Sequence, residues 1–180
     1  MQKIYLNAFL MVIRLITKTY FIITPTMNEF NLKTLNKNNC SSLYLFQKKF
    51  KELENYIWKI DELKNLISKR SCFGKICLKK KSIVGFCIGN QVYDIFEIYS
   101  IFVHPSYRRN GIAKKILDEC IFFCQKKRVK KIILEVNVEN YAAKKFYALN
   151  EFKNCGKRKD YYFSESRRID AQIMELNILK

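Results

Sequence analysis

Between Glu97 and Tyr147 the chain gathers residue types that bind anions and move protons. The turn Arg108-Arg109-Asn110-Gly111-Ile112-Ala113 follows an apolar run, residues 97–103, that Pro105 stops. It opens an amphipathic stretch with Ile112, Ile116, Leu117, Cys120, Ile121 and Cys124 on one face. The turn therefore belongs at a helix N-terminus, where free backbone N–H groups and the helix dipole favour an anion and Gly111 lets the backbone come close to it. Strand, turn and helix in this order make a phosphate cradle. It is neither the Walker A loop, which needs Gly-Lys-Ser/Thr, nor the three-glycine dinucleotide fingerprint. Downstream, Glu135 stands in a strand-like run, residues 132–136, and Tyr147 in a short helix expected over residues 140–149. A carboxylate can accept a proton and a phenol can give one, but a charge on the solvent face of a strand and a packed aromatic ring have the same pattern. Glu97 is a second carboxylate on the neighbouring strand, and His104, beside Pro105, reads as an exposed loop residue.

These residues carry a resemblance to the GNAT acetyltransferase superfamily. Val103-His104-Pro105-Ser106-Tyr107-Arg108-Arg109-Asn110-Gly111-Ile112-Ala113 is similar to its acyl-coenzyme A pyrophosphate loop, Arg/Gln-x-x-Gly-x-Gly/Ala. Leu134-Glu135-Val136, Asn140-x-Ala-Ala and Phe146-Tyr147 follow at the spacing of one branch, the RimI-type protein N-terminal acetyltransferases. Tyr161-Tyr162 and the run Asp170-Ala171-Gln172-Ile173-Met174 resemble the ending of that branch, so the likeness covers residues 30–178.

The resemblance implies an α/β (α+β) domain, a central mixed sheet with flanking helices, in which two parallel strands diverge and coenzyme A lies in the gap. Ile101, Phe102 and Val103 would offer backbone groups to the pantetheine arm. Arg108, Arg109, Asn110, Gly111, Ile112, Ala113 and Lys114 would hold the pyrophosphate, and Asn140 would bond the cofactor arm while capping its helix. Guanidinium forks match phosphate oxygens, and an amide chain can pair with an open strand edge, so the physics agrees. Glu135 is then the candidate base, directly or through a water, and Tyr147 the candidate acid; Glu97 would assist or bind the acceptor amine. Trp58, Tyr161 and Tyr162 would border the acceptor. Acetyl-CoA is the expected acetyl donor and no metal is required. The expected acceptor is a protein N-terminus, with a ribosomal protein first, in the cytoplasm. A small amine is the alternative acceptor, and a non-catalytic basic module docking on RNA or ribosomes is the alternative function.

The chain departs from the family pattern at a few places. Glu151 stands where the family usually has glycine, so Asn150 or a changed turn is expected to supply the left-handed geometry. Arg167 and Ile169 alter the usual Gly-Arg-Glu-Asp-Ala, leaving Arg168 and Asp170 in place, and Ile57 replaces a proline before Trp58.

The elements that must position these groups follow from periodicity. With 180 residues and 49% hydrophobic content, the chain makes one ordinary domain with a core, not a disordered segment. Its net charge of +18 suits an anionic partner, yet the lysines are spread along the chain, as a solvated surface would have them. The 7 cysteines lack a C-x-x-C pair and there is 1 histidine, which supports neither a zinc site nor a disulfide framework; a reducing, intracellular setting fits. Residues 1–26 read as an appendage, too short in apolar run to span a bilayer and without a cleavage site, and the family-like domain as residues 27–180. Alternation predicts a strand over residues 30–35. Ser41 or Ser42 would cap a helix to about Glu54, and Trp58, Leu63, Leu66 and Ile67 mark a second helix over 58–67. Runs at 72–78, 83–89 and 95–103 form a meander, and residues 152 onward with 169–178 a final strand pair.

Overall fold

The computed structural model describes residues 29–164 and 167–178, so the expectation for residues 1–26 lies outside the described part. In chain order the elements are β1 (Phe30–Thr34), α1 (Cys40–Gln47), α2 (Ile60–Ile67), β2 (Cys72–Lys79), β3 (Ser82–Val92), β4 (Ile95–Val103), α3 (Ile112–Lys126), β5 (Lys131–Asn137), α4 (Tyr141–Leu149), β6 (Lys153–Ser164) and β7 (Arg167–Asn177). The strands form one mixed sheet in the order β1-β2-β3-β4-β5-β7-β6. Every pairing is antiparallel except that of β4 with β5.

Helices cover both faces because the strands are apolar on both. Cys87, Phe96, Ile98, Ile132 and Leu134 pack with Ile112, Ile116, Leu117, Cys120 and Cys124 of α3 and with Tyr147 of α4. On the other face Ile76, Phe86, Ile88 and Phe102 meet Leu43 and Phe46 of α1 and Leu63 and Leu66 of α2. Phe86 and Phe96 are both 0% exposed, and burial of each contributes about 2 to 3 kcal/mol. No helix among the described residues is long and apolar enough to cross a membrane.

The first helical pair corrects the sequence expectation. The cap is Asn36, whose side chain accepts from the Asn38 N–H at 3.0 Å, and a short 3-10 turn (Lys37–Asn39) runs into α1 at Cys40, ahead of both serines. That helix stops at Gln47; residues Lys51–Tyr56 form a separate 3-10 turn. Trp58 lies before α2, not in it, because Glu62 caps the Lys59 N–H at 2.9 Å and the helix begins at Ile60.

Two irregularities shape the centre of the sheet. Ile88 pairs with Ser100 and Gly89 with Ile98, so Tyr99 is an extra residue that bends β4. From that point β4 and β5 part. Their parallel pairing runs from Ile95↔Lys131 to Ile98↔Leu134 and no further, after which β4 keeps only β3 and β5 only β7. A Cβ on Gly89 would fall 2.5 Å from both the Glu97 carbonyl oxygen and the Phe96 ring, so this close approach at the bend requires glycine.

Candidate active site

On one side of the parting strands is the N-terminus of α3. Gly111, in the left-handed region at φ 75°, is its N-cap and no side chain caps it, so the first-turn N–H groups are left open. Arg109 before it is also left-handed, at φ 65°. Asn110 tightens the turn by donating from Nδ2 to the Tyr107 and Arg108 carbonyls at 3.2 and 3.3 Å. Arg108 is engaged elsewhere: its Nε donates to the Val103 carbonyl at 3.1 Å, its Nη2 lies 3.4 Å from Glu52, and its guanidinium covers the Phe102 ring. The cradle thus consists of backbone N–H groups with Arg109 and Lys114, the latter paired with Asp118. The edge of β4 facing β5 is open beyond Ile98; the register with β3 turns the Phe102 backbone groups to Phe86 and those of Ile101 to the open edge, whereas the Val103 carbonyl is taken by Arg108. Asn140 caps α4, its Oδ1 accepting from the Ala143 N–H at 3.0 Å. His104 is half-buried, not an exposed loop residue: its Nδ1 accepts from the Ser106 N–H at 3.1 Å and its ring packs on Phe50 and Tyr107.

Carboxylates and aromatic rings gather on the opposite side. Glu97 faces Ile133 across the β4–β5 pair, so Glu135, two places on, shares its face of the sheet. The Glu135 side chain is only 13% exposed and accepts from Arg158 Nη1 at 2.9 Å. Burial pushes the Glu97 carboxyl above its ordinary value, the negative charge of Glu135 adds to this, and Arg158 opposes it. Tyr161 is pushed up to about 12, first by the hydrogen bond it makes with Glu135 and then by burial. The Tyr162 hydroxyl donates to the Glu135 carbonyl oxygen at 3.1 Å. Ring contacts of 5.5 Å between Tyr56 and Tyr162 and 5.7 Å between Trp58 and Tyr99 complete the wall. Trp58 is held there by Gln47, which is 0% exposed: its Oε1 accepts from the Trp58 N–H at 3.1 Å and its Nε2 donates to the Trp58 carbonyl at 3.4 Å.

Tyr147 stands apart from the carboxylates, on the α3 and α4 side of the sheet. It is 5% exposed, and burial, with Cys87, Tyr162 and Cys120 as lesser causes, raises its phenol well above the usual value. Its proton is therefore retained at any physiological pH. Among the described residues no group of three or more His, Cys, Asp or Glu side chains is placed to hold a metal ion.

Sequence reasoning missed Arg158 and Gln47, and named Asp170 only as part of the family-like ending, without a role. The reason at Arg158 is a bulge: Arg158 pairs with Ala171 and Tyr162 with Ile169, so residues 159–161 of β6 face Asp170 alone. Asp160 is left-handed at φ 55°, and its N–H donates to Asp170 Oδ1 at 2.9 Å. The bulge places Arg158 and both tyrosines near Glu135, and nothing local in the sequence signals it. Gln47 sits at a helix end and looks like any solvated glutamine.

The family model for the GNAT acetyltransferases matches residues 36–152. The ribosomal protein bS18 alanine N-acetyltransferase of Escherichia coli (strain K12) is 33% identical over 96 residues, 53% of this chain and 65% of the relative, so the match spans just under two-thirds of that enzyme. The corresponding Haemophilus influenzae enzyme is 31% identical over 105 residues, 58% of this chain and 70% of its own length. The crystal structure of the Escherichia coli ribosomal-protein-S18-alanine N-acetyltransferase superimposes with a TM-score of 0.72 at 24% identity, covering 83% of this chain and 94% of that one. This last likeness is one of fold.

Proposed function

The chain belongs to the GNAT acetyltransferase family, and on that premise we propose that it transfers the acetyl group of acetyl-CoA to the α-amine of a protein N-terminus. A ribosomal protein is the first candidate acceptor, since curated relatives act on ribosomal protein bS18. The observation that carries this reading is the parting of β4 and β5, with an uncapped helix N-terminus on one side and Glu97 and Glu135 among tyrosines on the other.

Acetyl-CoA, when bound, supplies an acyl group activated as a thioester. The first-turn N–H groups of α3, with Arg109 and Lys114, suit its pyrophosphate, and the open edge of β4 suits its amide arm. The acceptor must arrive as a free amine. At pH 7 that costs roughly 1.4 kcal/mol for an α-amine of pKa near 8, against roughly 4.6 kcal/mol for a lysine near 10.4. An α-amine therefore needs only a modest base, which a carboxylate in a half-buried groove is. Glu135 takes the proton from the acceptor nitrogen, directly or through a water. Tyr147, still protonated at neutral pH, gives its proton to the departing sulfur as the C–S bond breaks and the C–N bond forms.

The test is thiol release from acetyl-CoA with a panel of N-terminal peptides, comparing wild type with Glu135→Gln and Tyr147→Phe. Turnover on an Ala- or Ser-starting peptide that falls by about 100-fold or more in each variant, with acetyl-CoA still bound, supports the reading. Acetyl-CoA binding with reaction only on polyamines would overturn the N-terminal acceptor, and no binding at all would overturn the cradle.

A further inference from the structure

We infer that Arg158 is a positioning residue of the acceptor groove: it clamps the Glu135 carboxylate in one orientation and supplies the positive charge that lets Glu97 and Glu135 stand side by side. The inference rests on the proposed function above and adds a residue to it.

Arg158 is not on a strand next to either carboxylate. It lies on β6, and β7 separates β6 from β5. In register, Glu135 sits opposite Ile173 and Asn137 opposite Ala171, which in turn faces Arg158. Arg158 and Glu135 therefore share a face, and the guanidinium must cross β7 at Ala171 to reach its partner. A small residue at that place leaves the route open. The contact is closed from several directions. Arg158 Nη1 meets Glu135 Oε1 at 2.9 Å, the guanidinium lies 5.4 Å from the centre of the Tyr161 ring, and Tyr161 also bonds Glu135. The Arg158 side chain is 57% exposed while that of Glu135 is 13% exposed, so the charge is presented from solvent onto a nearly buried carboxylate.

Electrostatics explains why a cation is needed here. Among the described residues, the groups that bear on the pair are Tyr99 on β4 and Arg158, Tyr161 and Tyr162 on β6, with Tyr56 packed against Tyr162. Arg158 is the cation that these described contacts bring to the pair. Burial and the charge of Glu135 raise the Glu97 carboxyl and Arg158 opposes both, and a protonated carboxyl cannot accept the proton of an amine. The guanidinium cannot itself accept a proton. It therefore favours the charged form of Glu97 without competing for the base role.

The experiment measures the pH profile of kcat/KM for wild type, Arg158→Gln and Arg158→Lys with one reactive N-terminal peptide. The acceptor amine titrates identically in all three, so differences report the enzyme. Removing the charge takes away what opposes burial at Glu97, which moves the acid limb of Arg158→Gln to higher pH, while the deficit shrinks toward alkaline pH. Arg158→Lys restores the charge and returns the limb close to wild type, and the KM for acetyl-CoA is the same in all three. An acid limb that stays in place, or a loss equal at every pH, would overturn the inference and leave Arg158 as a wall of the groove. Titration of the Glu97 carboxyl carbon by NMR, without any acceptor, separates this from the function itself. Upward movement of Glu97 in Arg158→Gln supports the clamp even if no peptide reacts, and an unmoved titration refutes it even if peptides do.

Discussion

At the level of single residues, the site combines groups whose protonation is set by different surroundings. Tyr147 keeps its proton through burial, and Glu97 binds one more tightly than a free carboxyl because it is partly buried beside Glu135. A carboxyl with a raised folded pKa gives stability that is present at low pH and lost as pH rises through that value. Glu97→Gln is therefore expected to be more stable than wild type near neutral pH, with the difference vanishing in acid; thermal melts at about pH 4 and about pH 7.5 check this. Asp170 behaves in the opposite sense: Lys157 and the Asp160 N–H hold its carboxyl below the usual range. Its contribution is present above the ordinary carboxylate pKa and lost as pH falls through the depressed one. Asp170→Asn keeps an acceptor for the Asp160 N–H, so it should retain the bulge and peptide turnover better than Asp170→Ala, as steady-state KM for the peptide would show.

Local elements hold these groups through a few exacting positions. Neither Asn150 nor a rebuilt turn supplies the left-handed residue after α4: Glu151 adopts it itself at φ 66°, while Asn150 donates from Nδ2 to the Phe146 carbonyl at 2.8 Å. A side chain there costs about 1 kcal/mol, so Glu151→Gly is expected to raise stability by about 0.5 to 1 kcal/mol in denaturant melts, less any gain of entropy in the unfolded chain. At the bend of β4 the constraint is space. Gly89→Ala would drive a methyl into Phe96 and the Glu97 carbonyl, and a loss of about 3 kcal/mol is expected. Gln47 links α1 to the loop ahead of α2, so Gln47→Leu leaves the Trp58 N–H and carbonyl without their partner. A loss of about 2 kcal/mol follows, together with a raised KM for the acceptor peptide and an unchanged KM for acetyl-CoA.

Across the whole molecule the sheet acts as a frame with one opening. Both hydrophobic clusters are anchored on β2, β3 and β4, and the opening lies where β4 bends away from β5. A ligand that fills it joins two halves of the sheet, and acetyl-CoA at about 100 times its Kd should raise stability by about 2.7 kcal/mol. The gain should fall with salt, because surface phosphate contacts are screened. Calorimetry of wild type against a Gly111→Ala variant checks this, since a Cβ at φ 75° strains the cradle without touching the acceptor wall.

What the amino-acid sequence determined by itself was whatever depends on neighbours along the chain. The apolar runs of β2 to β5, the stripe of α3, the cap at Asn140 and the turn at Gly111 all follow from period, capping chemistry and glycine's freedom, and they brought the proposed donor side with them. The proposed acceptor side was decided only by tertiary structure. Arg158 reaches Glu135 across an intervening strand because a bulge on β6 and the small Ala171 allow it, and Gln47 holds Trp58 because the end of a helix buries an amide against a loop. Arg108 turns to Val103 and Glu52 for the same kind of reason: once the chain is folded, a buried carbonyl and a nearby carboxylate compete for the fork. Spacing along a chain specifies period and polarity. Which charge meets which is set by sheet order and register, and those are settled only when every strand has found its partner.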